Sequence, residues 1–170
     1  MITRDQVYRS RYLAGQVKRY HAWPTITTQT VAAHCWRVVS IYFEIFGPPD
    51  KLDIIYWALH HDSGELRSGD PPYLSKGLVP GLREKIKEAE KIGLRDLDIK
   101  LPEISKLEED KIKICDLLEM HEFGEMEFNL GNKYAEAVMR DTMLAAQNLA
   151  AELCCSEKVN RWLMDRGSRA

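Results

Sequence analysis

Long apolar runs and export signals are missing from the sequence. The longest unbroken apolar run covers residues 54–59, whereas a membrane-spanning helix needs roughly 20 apolar residues. Residues 1–5 contain no apolar core behind a basic start, so the sequence predicts neither a secretory signal nor a lipid anchor. We expect a cytoplasmic protein that does not bind membranes.

An excess of charge of one sign is also missing. The chain has 24 Lys and Arg residues against 26 Asp and Glu residues, a net charge of −2, so no overall field attracts it to nucleic acid or anionic lipid. A non-enzymatic helical adaptor or DNA-binding module is an alternative, because residues 160–169 are mildly basic. Acidic residues dilute that segment, and such a module has no use for the buried His and Asp residues described below. We therefore expect no stable nucleic-acid partner.

The four cysteines show no C-x-x-C spacing and do not resemble a disulfide framework. They are Cys35, Cys115 and the adjacent pair Cys154 and Cys155. We interpret them as small buried hydrophobic residues. Cys35 and Cys115 adjoin two candidate metal ligands, but neighbours on a helix point in different directions, so neither is expected to bind metal.

Alternating strand-like patterns are absent as well, and the apolar periodicity is helical nearly throughout. With 170 residues, of which 45% are apolar, we predict a single domain over residues 1–170 that forms a compact all-α bundle of about six or seven helices. The predicted helices cover residues 30–46, 51–62, 81–92, 106–121, 133–150 and 153–164. Asp50 is predicted to cap the second helix, which is apolar on more than one face and is therefore predicted to be central and buried. Two glycines and two prolines predict a loop over residues 63–73.

Polar residues inside apolar stripes are the candidate site residues. His34 lies four residues before Val38 and seven before Ile41, where a histidine is either a hydrogen-bonded core residue or a metal ligand. His61 and Asp62 end the predicted buried helix. A carboxylate buried there without a cationic partner costs several kcal/mol, a cost that a metal ion would remove.

Asp116 interrupts the apolar run at residues 114–118 and therefore needs a buried partner. That partner is either a metal or Lys113, three residues earlier on the same helical face. Two imidazoles and two carboxylates from three helices suit a divalent metal such as Zn, Mn, Co or Fe. Four protein ligands leave room for water only on a five- or six-coordinate metal, which favours a catalytic site over a closed structural one.

The order His, His-Asp, Asp of these candidate ligands resembles the HD superfamily of metal-dependent phosphohydrolases, whose members are all-helical. The string H-D-x-x-E-x-x-x-G-D at residues 61–70 is far more specific than the H-D pair alone. Together with Arg19, the segment T-V-A-A-H at residues 30–34 and Lys76, it is similar to the bacterial 5′-deoxynucleotidases and to the compact phage dATP triphosphohydrolases of that superfamily. The similarity spans residues 19–116.

The resemblance implies a four-residue metal site made of His34, His61, Asp62 and Asp116. It implies Zn, Co or Mn as the metal, with additional Mg accompanying a triphosphate substrate. Glu65 would stand beside the attacking water, on the face of His61 if the helix persists for one more turn. Asp70 would be a second acid near the phosphate or the sugar.

The resemblance also implies contacts to the substrate. Arg19, Lys76 and Lys113 would bind phosphate, although Lys113 can equally serve the ion pair with Asp116. Tyr20, Ala22 and Trp23 would line the base pocket, although for Trp23 taken alone a place in the core is favoured over base stacking. Relatives usually carry a tryptophan after the arginine and an acid before the first histidine, where this chain has Tyr20 and Ala33.

The implied reaction is hydrolysis of a deoxynucleotide, and two substrates compete. A deoxynucleoside triphosphate such as dATP would be cleaved to deoxynucleoside and triphosphate, whereas a 5′-deoxynucleotidase would act on deoxynucleoside monophosphates. One arginine and two lysines favour the more highly charged triphosphate. Relatives of this kind form homo-oligomers, and the helices after residue 130 could either supply that interface or close the monomer core.

Overall fold

A computed structural model describes residues 9–71 and 79–167, together with residues 3 and 6, and these residues form an all-α bundle. In chain order the helices are α1 Arg11–Gly15, α2 Val31–Phe46, α3 Leu52–His60, α4 Glu65–Ser68, α5 Leu82–Asp96, α6 Lys106–Asn129, α7 Ala135–Glu152 and α8 Ser156–Gly167. Six of them have nine residues or more, which confirms the predicted all-α bundle of six or seven helices. No β-strand occurs in the described residues; residues 18 and 30 form only an isolated bridge.

Side chains and backbone at the helix ends explain where the longer helices begin and stop. Thr30 caps α2 by accepting a hydrogen bond from Ala33 N, and Ser105 caps α6 in the same way. Gly47 ends α2 with a φ of 79°, a conformation that favours glycine. The predicted Asp50 cap is wrong, because Lys51 holds the N-cap position of α3 and makes no side-chain cap hydrogen bond.

Helix α6 is the centre of the bundle. It packs against α7 on one side and α2 on the other, while α8 contacts both α7 and α2. The main core is made by the buried residues Val38, Ile41, Tyr42, Ile45, Ile54, Ala58, Ile112, Ile114, Cys115, Leu118, Ala146, Ala150, Val159 and Trp162. One face of α7 thus closes the core of the monomer. This is one of the two roles predicted for the helices after residue 130, the other being an interface between subunits.

Helix α3 is not the central helix, contrary to prediction. Only Ile54 and Ala58 of its nine residues are buried, and Leu52 is 82% exposed. The helix is apolar on two faces, but among the longer helices only α2 makes substantial contact with it. None of the helices in the described part of the chain is long and apolar enough to cross a membrane.

Helices α4 and α5 cross at two glycines. A Cβ atom on Gly64 would lie 2.3 Å from the carbonyl oxygen of Glu90, and one on Gly93 would lie 2.3 Å from the carbonyl oxygen of Gly64. Gly64 has a helical φ of −66°, so the crossing requires the absence of a side chain and no special backbone conformation. The crossing fixes the segment directly after residues 61 and 62 against α5. The loop predicted over residues 63–73 therefore includes a helical turn.

Candidate functional site

The two histidines and two acids singled out in the sequence come together at the junction of three helices. His34 lies on α2, His61 and Asp62 follow directly after α3, and Asp116 lies on α6. His34 Nε2 is 3.3 Å from Asp116 Oδ1 and 3.5 Å from Asp62 Oδ2. His61 Nε2 is 3.4 Å from Asp62 Oδ1.

Each of these three separations matches the spacing of two ligands on one divalent metal ion. Four ligand atoms arranged tetrahedrally at about 2.1 Å from a metal lie about 3.4 Å from one another. The donor set of imidazole nitrogen and carboxylate oxygen is the one that Zn, Co and Mn accept.

Both imidazole rings turn the same nitrogen into the cluster. His34 Nδ1 lies 2.5 Å from Glu119 Oε2, and His61 Nδ1 lies 2.8 Å from the carbonyl oxygen of Ala58. A carboxylate and a carbonyl oxygen only accept hydrogen bonds, so each Nδ1 carries a proton, and each Nε2 would present a lone pair to a metal when the ring is neutral. Within the described residues both Nε2 atoms are buried without a hydrogen-bond partner. The pairing of His34 with Glu119 is the carboxylate–histidine arrangement that orients metal-binding imidazoles.

The charges of the cluster favour a bound cation. Burial opposes the charged form of His34, but the nearby carboxylates of Asp116 and Glu119 outweigh it and raise the pKa of His34 to about 9. Burial likewise opposes the charged form of His61, and the charge of Asp62 raises its pKa to about 9. Burial would raise the pKa of Asp116, yet Lys113 and His34 hold it well below its usual range. The carboxylates therefore attract positive charge, whether it is carried by protons or by a metal.

Cys35 lies closer to the cluster than its position beside His34 predicted. Its Sγ atom is 3.9 Å from His61 Nδ1, and His34, Cys35 and His61 offer ligand atoms within 4.8 Å of one another. The thiol faces the protonated Nδ1 of His61, however, on the side of the ring that bonds Ala58 O. The two Nε2 atoms and the carboxylates of Asp62 and Asp116 face one another on the other side of the ring.

Asp116 has the Lys113 partner that one of the two alternatives predicted. Its Oδ2 atom is 2.5 Å from Lys113 Nζ, while its Oδ1 atom faces His34 Nε2. The ion pair thus occupies one carboxylate oxygen and leaves the other directed into the cluster. The Lys113 side chain is 55% exposed, so its assignment as a phosphate ligand stays a prediction.

Arg19 reaches the cluster from the loop between α1 and α2. Its side chain is buried, and Nη1 donates to Asp62 Oδ2 at 3.0 Å. The loop that carries it is held at residues 26 and 27, whose backbone N–H groups both donate to the buried carboxylate of Glu127 on α6. A guanidinium adjacent to an acid of the cluster is well placed to bind an anion there.

The residues predicted to line the base pocket do not present a fully open aromatic ring on which a base could stack. The Tyr20 ring stacks on Phe123, with centroids 4.8 Å apart and an interplanar angle of 4°, so that face of the ring is covered. Trp23 is half-buried and Ala22 is exposed. Tyr20 and Trp23 line an apolar cleft that also includes Phe123 and Tyr134.

The predicted proton carriers lie after α3, where the regular α-helix does not persist. It ends at His60, and the next turns are tighter, with Ser63 N bonding His60 O and Glu65 N bonding Asp62 O. Glu65 is buried. Asp70 Oδ2 accepts the N–H of Tyr20 at 3.1 Å, which ties the loop to the end of α4. Lys76, the remaining predicted phosphate ligand, lies outside the described residues.

The sequence analysis missed Glu119. It is only 2% exposed, and besides His34 it accepts a hydrogen bond from Gln29 Nε2. A signal was available, because Glu119 lies three residues after Asp116 and therefore on the same face of its helix.

Comparison of the chain with protein-family models and with curated proteins finds no match.

Proposed function

We propose that this protein is a metal-dependent deoxynucleotide phosphohydrolase, specifically a deoxynucleoside triphosphatase that converts dATP to deoxyadenosine and triphosphate. The observation that carries the proposal is a pair of buried imidazole Nε2 atoms, without hydrogen-bond partners in the described residues, that face two carboxylates. A divalent cation would give both nitrogens a partner and would offset the charge of the two carboxylates.

His34, His61, Asp62 and Asp116 would hold the metal. Glu119 would keep the ring of His34 in place, and Lys113 would orient the carboxylate of Asp116. When bound, a divalent metal supplies Lewis-acid activation of a phosphoryl oxygen and of water.

Protein side chains account for the remaining steps of hydrolysis. Arg19 would bind the phosphoryl oxygens and offset the negative charge that grows on them in the transition state. Glu65, which lies three residues after Asp62, would accept a proton from the attacking water. Asp70 would be the alternative acid. The bond from phosphorus to the 5′-oxygen breaks, and the deoxynucleoside leaves with a proton from the solvent or from one of these acids.

The count of cationic side chains supports the triphosphate over the monophosphate. Arg19 and Lys113 both adjoin carboxylates of the cluster, and Lys76 would add a third positive charge. A triphosphate carries more negative charge than a monophosphate and gains more from several cations. The resemblance to the phage dATP triphosphohydrolases favours the same substrate.

Product analysis tests the proposal. The purified protein is loaded with Zn, Co or Mn in separate samples and incubated with dATP or dAMP, and the products are resolved by ion-exchange chromatography. We expect deoxyadenosine and inorganic triphosphate from dATP, and no products after the metal has been removed with a chelator. Release of phosphate from dAMP alone would replace the triphosphatase by a 5′-deoxynucleotidase. Hydrolysis of neither nucleotide with any of the metals would overturn the proposal.

A further inference from the structure

The backbone and ring of Tyr20 are held in an unusual way. Tyr20 has a φ of 56°, in the left-handed region that non-glycine residues rarely adopt. Asp70 accepts its N–H group, and Phe123 covers one face of its ring. Strained residues of this kind persist only where the surrounding contacts over-determine them, and they are common at ligand-binding sites.

The Tyr20 hydroxyl is buried without a hydrogen-bond partner among the described residues. The Nε atom of Arg19 is in the same situation, and the guanidinium lies 5.6 Å from the centre of the Tyr20 ring. Two adjacent residues thus each carry an unused buried donor, and the side chain of Arg19 reaches Asp62. Leaving a buried polar group unsatisfied is destabilising, so this pair suggests a missing acceptor.

The hydroxyl is able to act as a donor. Burial raises the pKa of Tyr20 against the opposing charge of Arg19, and the negative charges of Glu119 and Asp116 raise it further. The phenol therefore keeps its proton.

We propose that the Tyr20 hydroxyl is a substrate-positioning group that donates a hydrogen bond to a phosphoryl oxygen of the nucleotide, next to Arg19. This inference deepens the proposed function and rests on it. The chemistry favours a phosphoryl oxygen over a sugar hydroxyl, because a guanidinium N–H and a phenol O–H together present only donors to an anion. Tyr20 then contributes through its hydroxyl to phosphate binding, and its ring serves as a rigid support stacked on Phe123.

The test compares Tyr20→Phe with Tyr42→Phe. The first substitution keeps the ring that stacks on Phe123 and removes only a hydroxyl that lacks a partner. The second removes a hydroxyl that donates to Glu108 near the far end of α2. We measure the KM and kcat for dATP, the affinity for inorganic tripolyphosphate by titration calorimetry, and the melting temperature of each variant.

For Tyr20→Phe we expect the KM for dATP to rise by about ten- to a hundredfold, the range for a lost hydrogen bond to a charged group. We expect kcat to stay nearly unchanged, tripolyphosphate to bind correspondingly more weakly, and the melting temperature to stay level or rise. For Tyr42→Phe we expect the reverse pattern, a lower melting temperature with an unchanged KM.

Equal binding of tripolyphosphate by wild type and Tyr20→Phe would overturn the inference, as would a fall in the melting temperature with no change in KM. The calorimetric measurement needs no turnover. A wild-type protein that hydrolyses no nucleotide would defeat the proposed function, whereas weaker tripolyphosphate binding by Tyr20→Phe would still support the anion contact.

Discussion

Two buried acidic clusters lie on the same helix, α6, about two turns apart, and they differ in how their polar atoms are satisfied. In the first, Asp116 and Glu119 meet the imidazoles of His34 and His61, and both Nε2 atoms lack hydrogen-bond partners in the described part of the chain. In the second, the carboxylate of Glu127 is 1% exposed and accepts four hydrogen bonds.

The Glu127 cluster is complete without any ligand. Its Oε1 atom accepts hydrogen bonds from the backbone N and the hydroxyl of Thr27 at 2.8 and 2.6 Å. Its Oε2 atom accepts from Ile26 N at 2.7 Å and from Asn132 Nδ2 at 2.9 Å. Four donors for two oxygens satisfy a buried carboxylate.

The difference between the clusters separates the proposed metal site from a structural clamp. Both bury acids on one helix, and burial alone would mark both as candidate sites. The unpaired nitrogens of the first cluster mark a place for a ligand, whereas the second cluster joins the loop that carries Arg19 and Tyr20 to α6. Three substitutions test this distinction, starting with the largest expected effect on activity.

Substitution His61→Ala should abolish metal binding and hydrolysis of dATP. The substitution removes one of the two proposed imidazole ligands. Because the His61 side chain is 13% exposed and therefore not fully buried in the core, we expect the helical fold to survive. Metal content by atomic absorption, turnover and far-UV circular dichroism check this. His60→Ala is the matched control, because His60 lies one residue earlier and bonds Ser63 instead of the cluster. Full turnover by His61→Ala would remove the metal site from the proposal.

Substitution Glu119→Gln should weaken metal binding by about ten- to a hundredfold, the usual effect of losing a carboxylate behind a ligating histidine. The amide keeps an acceptor for His34 Nδ1 but loses the negative charge that makes the imidazole a stronger ligand. Competition with a chromogenic chelator measures the affinity. Glu122→Gln on the next turn is the control, because Glu122 pairs with Arg37. Equal metal affinity in Glu119→Gln and wild type would contradict the orienting role of Glu119.

Substitution Glu127→Gln should have the smallest effect on activity and act on stability. An amide nitrogen would face donors in place of an oxygen, which costs about 1–3 kcal/mol of unfolding free energy at pH 7. Burial would raise the pKa of Glu127, but hydrogen bonds from Thr27, Asn132 and Ile26 lower it from 4.5 to about 2.

The pH dependence of this prediction follows from the direction of the shift. Because the folded pKa lies below the unfolded one, the carboxylate stabilises the fold above pH 4.5 and loses its contribution as the pH falls through 2. Urea unfolding at several pH values should show the largest difference from wild type near pH 7 and a shrinking one in acid. Exposed Glu136→Gln should match wild type throughout. A difference that does not depend on pH would assign the stability loss to packing.

The helices of this protein were predictable to the extent that local signals define them. Thr30 begins α2, and Gly47 ends it where the sequence indicated. Helix α6 extends to Asn129, about two turns beyond the predicted end. The added turns contain Gly124, which weakens the helix signal, and in the structure this glycine packs closely against Met139 of α7.

The ranking of helices by burial could not be predicted. Helix α3 is the more apolar segment, but it lies at the edge of the bundle with Leu52 exposed. Helix α6 is rich in charge and lies at the centre, because Glu119, His121 and Glu127 are buried with hydrogen-bond partners. Hydrophobicity reports what a helix can bury, whereas the neighbours that reach it decide what it does bury.

The sequence by itself determined that the chain is all-α and which four side chains are candidate ligands, because apolar periodicity and polar residues that interrupt it are local properties. Only the tertiary structure decided that the four meet, that Nε2 is the nitrogen facing Asp62 and Asp116, and that Glu119 bonds the ring of His34. Those facts depend on distances between residues far apart in the chain, and the close crossing of helices at Gly64 and Gly93, which local patterns do not encode, contributes to them.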